Sequence, residues 1–169
     1  MNVYESVRTK REIRFFQDKA IPDEVLKKIL QAGRLSPSSK NAQPWHFIVI
    51  KNKETLKELS TTSPTAAHLA RTPLAIAILM DQAKLPGVDS ARAVESMALT
   101  AWEEGIGTCW ITNFDEERVK TILGIPEEID LLTVMPFGYP TEPKPSGGKK
   151  RKPLREIAHH ERFGEPYQF

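Results

Sequence analysis

The run PLAIAILM, Pro73 to Met80, is the longest uninterrupted apolar stretch of the chain. It is far too short to span a bilayer, which takes about 20 residues. It also lacks the polar alternation of a strand with one wet face, so it reads as a strand buried on both faces. Such a strand needs partners in a sheet and cover above and below it, which points to a layered fold.

The segments around this strand supply both. IPDEVLKKILQAGRL carries Pro22 at a helix start, acidic residues in the first turn, and Val25, Leu26, Ile29 and Leu30 at helical spacing. KETLKEL reads as a short helix and DEERVKTILG as another. DSARAVESMALTAWEEG reads as the longest helix, capped by Asp89 or Ser90 and terminated at Gly105. Its apolar face is Val94, Met97, Ala98, Ala101 and Trp102. HFIVIK, TCWI and LLTVMPFGYP read as strands, a first helix precedes Arg14, and LREIAHHERF regains helical character near the end. Helices and strands mingle without βαβ repetition, so the expected fold is α+β, a mixed α/β layered sandwich. Residues 1–169 are expected to form one domain.

With 40% hydrophobic and 27% charged residues, the chain has the balance of a soluble globular protein. Its net charge of +2 is too small for a general nucleic-acid or membrane binder. The charged start, MNVYESVRTKREIR, has no apolar core of a secretory signal, and a cytoplasmic location is expected. Cys109 is the single cysteine, which excludes an internal disulfide and a CxxC metal site. Its apolar surroundings make it a core residue rather than a redox thiol. His159 and His160 are adjacent and do not share a helix face, so no metal site is expected there. Asp89 and Glu95 are explained by helix capping or surface exposure.

Two features remain. SPSSKNAQPW, Ser36 to Trp45, spends far more short polar side chains than a turn requires. RTKREIR and KKRK are basic clusters, and on a helix Arg8, Arg11 and Arg14 would fall on adjoining parts of the surface. They are either solvated surface or a phosphate clamp, and charge spacing alone does not decide. No GxGxxG follows a strand and no GxxxxGK[ST] is present, so a bound phosphate would be held by side chains.

Together these pieces resemble the FMN-dependent nitroreductase family over nearly the whole chain. KREIRFF is similar to its basic N-terminal phosphate motif, and SPSSKNAQPWHFIVI to its Pro-Ser-Ser-x-Asn-x-Gln-Pro-Trp loop and following strand. ALTAWEEGIGTCWI is similar to its central helix and the strand behind the flavin; FGYPTEPKP with KKRKPL is similar to its closing strand and basic tail. The resemblance implies a mostly antiparallel sheet flanked by helices, and a homodimer with flavin at the subunit interface and the C-terminal tail packed on the partner.

It also implies FMN as cofactor, NADH or NADPH as co-substrate, and a ping-pong cycle that reduces nitroaromatics, quinones or similar small molecules. Phosphate contacts carry over to Lys10, Arg14, Lys149 and Arg151, with Arg11 as an alternative. Arg14 is the candidate for stabilising the reduced flavin. Pro37, Ser38, Ser39 and Asn41 would edge the ring from the opposite subunit, and backbone around Trp110, Ile111 and Thr112 would lie near it. Trp45 would anchor the loop in the core, and His46 and His68 either border the cofactor or are satisfied polar residues, the second being the reading preferred. Glu12 stands where relatives carry a small hydroxyl residue, and is expected to turn away or pair with an arginine. The resemblance requires no side-chain general acid, and no catalytic residue is assigned. The alternatives are a flavin-binding protein without turnover, or dehalogenation or flavin fragmentation on the same scaffold. Such relatives carry extra covering segments, for which the short stretch between Leu79 and Ser90 leaves little room.

Overall fold

The computed structural model describes residues 2–142 and 149–169; Pro143 to Gly148, inside the proline- and glycine-bearing tail segment, lie outside the described residues. Four strands form one antiparallel sheet: β1 (Trp45–Ile50), β2 (Leu74–Met80), β3 (Gly107–Thr108) and β4 (Asp130–Gly138). Their order is β1-β2-β4-β3, so the apolar run is an interior strand, as its composition demands.

Side chains of β2 alternate between two cores. Leu74, Ile76 and Ile78 join one cluster, and Ala75, Ala77 and Leu79 join the other. Among the described residues five α-helices complete the layers: α1 (Val3–Thr9), α2 (Asp23–Arg34), α3 (Lys53–Leu59), α4 (Pro86–Glu103) and α5 (Glu116–Leu123). The first cluster takes Leu26 and Ile29 of α2 and Met97 and Ala101 of α4. The second takes Leu56 and Leu59 of α3 and Val119 of α5. The larger helices thus face the larger β2 side chains. Helices α2 and α4 approach closely at Gly33, where an added Cβ would lie 2.7 Å from Met97 Sδ.

The N-terminal segment after α1 pairs with the edge strand β3 and with the chain just beyond β4. The Ile13 N–H donates to the Thr108 carbonyl at 2.8 Å, and the Gln17 N–H to the Tyr139 carbonyl at 2.8 Å. Ile13 and Phe16 press on Gly107 and Gly138, where a Cβ would meet them at 2.5 and 2.8 Å. These two glycines are what let the segment lie so close.

Several expectations change. Helix α1 stops at Thr9, so Arg11 and Arg14 stand on extended chain rather than on a helix. Pairing with Thr108 overrides local helical preference there. Helix α4 starts at Pro86, with no side-chain cap, and Asp89 and Ser90 are fully buried inside it. Of TCWI only Thr108 is in a strand, because the chain then turns its hydrogen bonds to side chains. LREIAHHERF holds only a short 3-10 turn, Leu154–Glu156, and left-handed backbone at Glu161 and Gly164 breaks any longer helix.

Gly107→Ala should destabilise the fold by about 1–3 kcal/mol through overpacking against Ile13. Gly87→Ala, where a Cβ meets nothing within 4 Å, should be neutral or slightly stabilising. Denaturant unfolding of the two variants checks the contrast.

Candidate functional site

The cations of the N-terminus and the tail do come together. Lys149 Nζ donates to the Val7 carbonyl at 2.6 Å, placing the tail at the C-terminal end of α1. Arg11 Nη1 donates to the carbonyls of Arg8, Thr9 and Lys10 at 3.2–3.3 Å. Both side chains answer carbonyls that a helix end leaves without intrahelical partners. Burial pushes the Lys149 ammonium down, and repulsion from Arg11, Arg151 and Lys10 adds to it, against a smaller opposing pull from Glu95. A cation crowded by like charges in this way favours an anion beside it.

Glu12 sits inside this group. One carboxylate oxygen pairs with Lys10 Nζ, and the other accepts the Trp110 N–H at 2.7 Å. Its expected partner was an arginine; the structure gives it a lysine and a backbone amide instead. Burial works to raise the Glu12 carboxyl, but the Lys10 and Trp110 hydrogen bonds outweigh it and leave it below the usual carboxylate range. Cys109 is buried beside this carboxylate, and burial pushes its thiol up to about 11. It is therefore a protonated core thiol at neutral pH, as its apolar context indicated.

Arg14 lines two clefts. One, of about 220 Å³, also takes Glu12, Phe15 and Pro140; the other, of about 720 Å³, takes Phe15, His68 and Arg71. His68 and Arg71 lie three apart on the 3-10 turn Ala67–Arg71, a spacing that aligns side chains on one edge. Burial lowers the His68 imidazole, and Arg14 lowers it further, so the ring is neutral at pH 7. His68 Nε2 is buried without a hydrogen-bond partner among the described residues, contrary to the expectation of a satisfied polar side chain. His46, by contrast, is satisfied: its Nε2 lies 2.9 Å from Asp81 Oδ1. Arg71 went unnoticed in the sequence, although the His-x-x-Arg spacing is a legible signal once the turn type is known.

The polar loop is a rigid rim elsewhere on the molecule. Lys40, Asn41 and Gln43 all adopt left-handed backbone, with φ of 53°, 58° and 49°. The Ser38 hydroxyl accepts the Gln43 N–H at 2.9 Å, and Gln43 Nε2 donates to the Asn41 carbonyl at 3.2 Å. Trp45 is buried and roots the loop, Pro37 is exposed, and Ser38 and Ser39 are half-buried. Two tethers on α4 hold the loop: Ser36 Oγ bonds Ser96 Oγ at 2.9 Å, and the Ser39 N–H donates to Asp89 Oδ2 at 2.9 Å. Asp89, expected as a cap or a surface residue, is thus a buried carboxylate whose role is to hold Ser39. The two clefts that Arg14 lines take in no residue of this loop.

Behind the cation group, the Trp110 N–H is taken by Glu12. The Ile111 carbonyl accepts from Thr133 Oγ1 at 2.8 Å, and the Thr112 carbonyl from Ser63 Oγ at 2.9 Å. These backbone groups already have protein partners. Among the described residues no group of His, Cys, Asp and Glu could hold a metal ion.

Comparison with known proteins places this fold. The Nitroreductase family model matches residues 7–83 and 81–139. A protein of Archaeoglobus fulgidus named for NADH dehydrogenase/NAD(P)H nitroreductase is 38% identical, over 82% of this chain and 85% of its own. One of the same name from Methanothermobacter thermautotrophicus is 36% identical, over 84% of this chain and 79% of its own. An FMN-dependent nitroreductase of Clostridium difficile has a structure similar to this chain, with a TM-score of 0.83 at 29% identity, covering 91% of this chain and 96% of the other. The chain belongs to the nitroreductase family.

Asp89→Ala should free the rim: the Ser39 amide should exchange faster with deuterium, and stability should fall by about 1–3 kcal/mol, the cost of an unpaired buried polar group. Asp89→Asn, which retains an acceptor, should lose less on both measures.

Proposed function

We propose that this chain is an FMN-dependent oxidoreductase that uses NADH or NADPH to reduce nitroaromatics, quinones or similar electron-poor small molecules. We read residues 1–169 as one domain that works in the cytoplasm as a homodimer. The observation that carries the reading is the basic cluster of Arg11, Lys149 and Arg151 with the Arg14-lined clefts, in a chain similar to an FMN-dependent nitroreductase.

The residues fit the mononucleotide. A phosphate carries about −1.5 to −2 charges at neutral pH. Arginine and lysine donors at the end of α1 and in the tail provide a matching excess of positive charge. The larger cleft, about 720 Å³, falls within the range of small-ligand sites. His68 Nε2, without a partner among the described residues, is a polar group that a bound ring edge would satisfy.

Bound FMN would supply the hydride chemistry of a ping-pong cycle between the nicotinamide and the acceptor. The chain's residues bind and orient. Arg14 and Arg71 bring permanent positive charge to the cleft, which favours the anionic, reduced state of a flavin. His68, neutral between them, adds hydrogen bonding without charge. No side chain is assigned as a general acid.

The rim of Pro37, Ser38, Ser39 and Asn41 would serve the cleft of the second subunit. Its separation from the Arg14-lined clefts within one chain supports that arrangement. So do large apolar side chains left in solvent at both ends of the chain. Tyr4 is 70% exposed, Phe163 94% and Phe169 85%. Single exposed apolar residues are ordinary, but aromatic residues this bare mark surfaces that another chain covers.

An anaerobic absorbance spectrum tests the function. Flavin bands should bleach with NADPH or NADH and return with a nitroaromatic or quinone; protein that stays colourless after incubation with FMN overturns the reading. Arg14→Ala should weaken FMN binding by roughly 10- to 150-fold, the loss of one charge-assisted contact, as measured by quenching of flavin fluorescence.

A further inference from the structure

We propose that Glu12 is an internal anion that competes with the phosphate of the cofactor for Lys10, and so weakens the chain's hold on its mononucleotide. This rests on the FMN reading above.

The geometry is specific. Glu12 is paired with Lys10 through one oxygen and with the Trp110 N–H through the other. The Lys10 side chain is 12% exposed and that of Glu12 40%, so the ammonium is sheltered while the carboxylate reaches the edge of the smaller Arg14-lined cleft. The neighbouring cations are held differently. Arg11 and Lys149 donate to backbone carbonyls, and such a bond orients a cation without supplying a counter-charge. Lys10 is paired with a carboxylate, and its charge is largely compensated.

An arriving phosphate therefore has two courses, and each costs affinity. It can bind to the remaining cations beside an ionised carboxylate, whose like charge repels it. Or it can displace Glu12, which strips the Trp110 N–H and Lys10 of their partner before new bonds form. A neutral side chain of the same shape would remove the first cost and lower the second.

Glu12→Gln is that change, since its amide oxygen can still accept the Trp110 N–H. FMN affinity of the purified apoprotein should tighten about five- to tenfold, and the gain should shrink in high salt. Riboflavin, which has the ring and no phosphate, should bind the variant and the parent equally. Lys10→Gln closes a double-mutant cycle. In the parent it should weaken FMN binding, because it leaves the Glu12 carboxylate uncompensated, and in the Glu12→Gln background it should abolish the gain.

An unchanged or weaker FMN affinity in Glu12→Gln overturns the proposal. So does a matching shift for riboflavin, which would mark a change in the ring pocket instead. If Glu12→Gln does not fold, Glu12→Ser, which removes the charge and keeps a small polar group, decides on the same measure: an FMN affinity that is unchanged or weaker overturns the proposal. A parent protein that binds no FMN overturns the proposed function and this inference with it, whereas a parent that binds FMN and is indifferent to Glu12 overturns the inference alone.

Discussion

The site depends on one close approach of backbone to backbone. The extended chain from Glu12 to Gln17 lies on β3 and β4 only because Gly107 and Gly138 present no side chain to Ile13 and Phe16. That contact turns the chain out of α1, aims Arg14 into the clefts, and leaves the exposed end of α1 as a platform of carbonyls. Lys149 reaches the same platform from the other end of the sequence. A cluster that looks like two separate basic tracts on paper is thus assembled by a packing constraint in which no charged group takes part.

Within that frame, polar groups divide by what they answer to. Arg11, Lys149, Thr133 and Ser63 hold backbone carbonyls, which fixes the chain without neutralising charge. Glu12 and Asp89 are carboxylates that hold backbone amides, one under Trp110 and one under Ser39. Asp89 does so from a fully buried position near the start of α4, where the helix dipole favours a negative charge. Its exposed companion Arg92, 3.4 Å away, adds little.

The layered antiparallel fold was legible because β2 carries it in plain composition, and the helices α2, α3 and α5 because their apolar spacing and end residues agree. The N-terminal helix was overextended, since charge spacing at three and four residues is the same whether or not the backbone is helical; only the approach to Gly107 decides against it. The tail helix failed for want of anything to pack on, as short helices have little stability of their own. At the site, the polar loop and the two basic tracts were visible as residue types in excess of local need. The tethers were not: Asp89 lies 50 residues from Ser39, and Glu12 lies 98 from Trp110, so no local pattern announces either. Arg71 was hidden because a 3-10 turn repeats every three residues and leaves no amphipathic trace.

The loop from Ser38 to Gln43 keeps three side-chain-bearing residues in a backbone region that glycine would occupy without strain. A loop of glycines would reach the same shape but visit many others. With Lys40, Asn41 and Gln43 in place, and Ser39 pinned to α4, the conformational entropy is surrendered when the chain folds, well before any ligand arrives. Any association at this rim would then meet a shape already made, at a rate set by diffusion and field rather than by the slow search of a loop for its bound form.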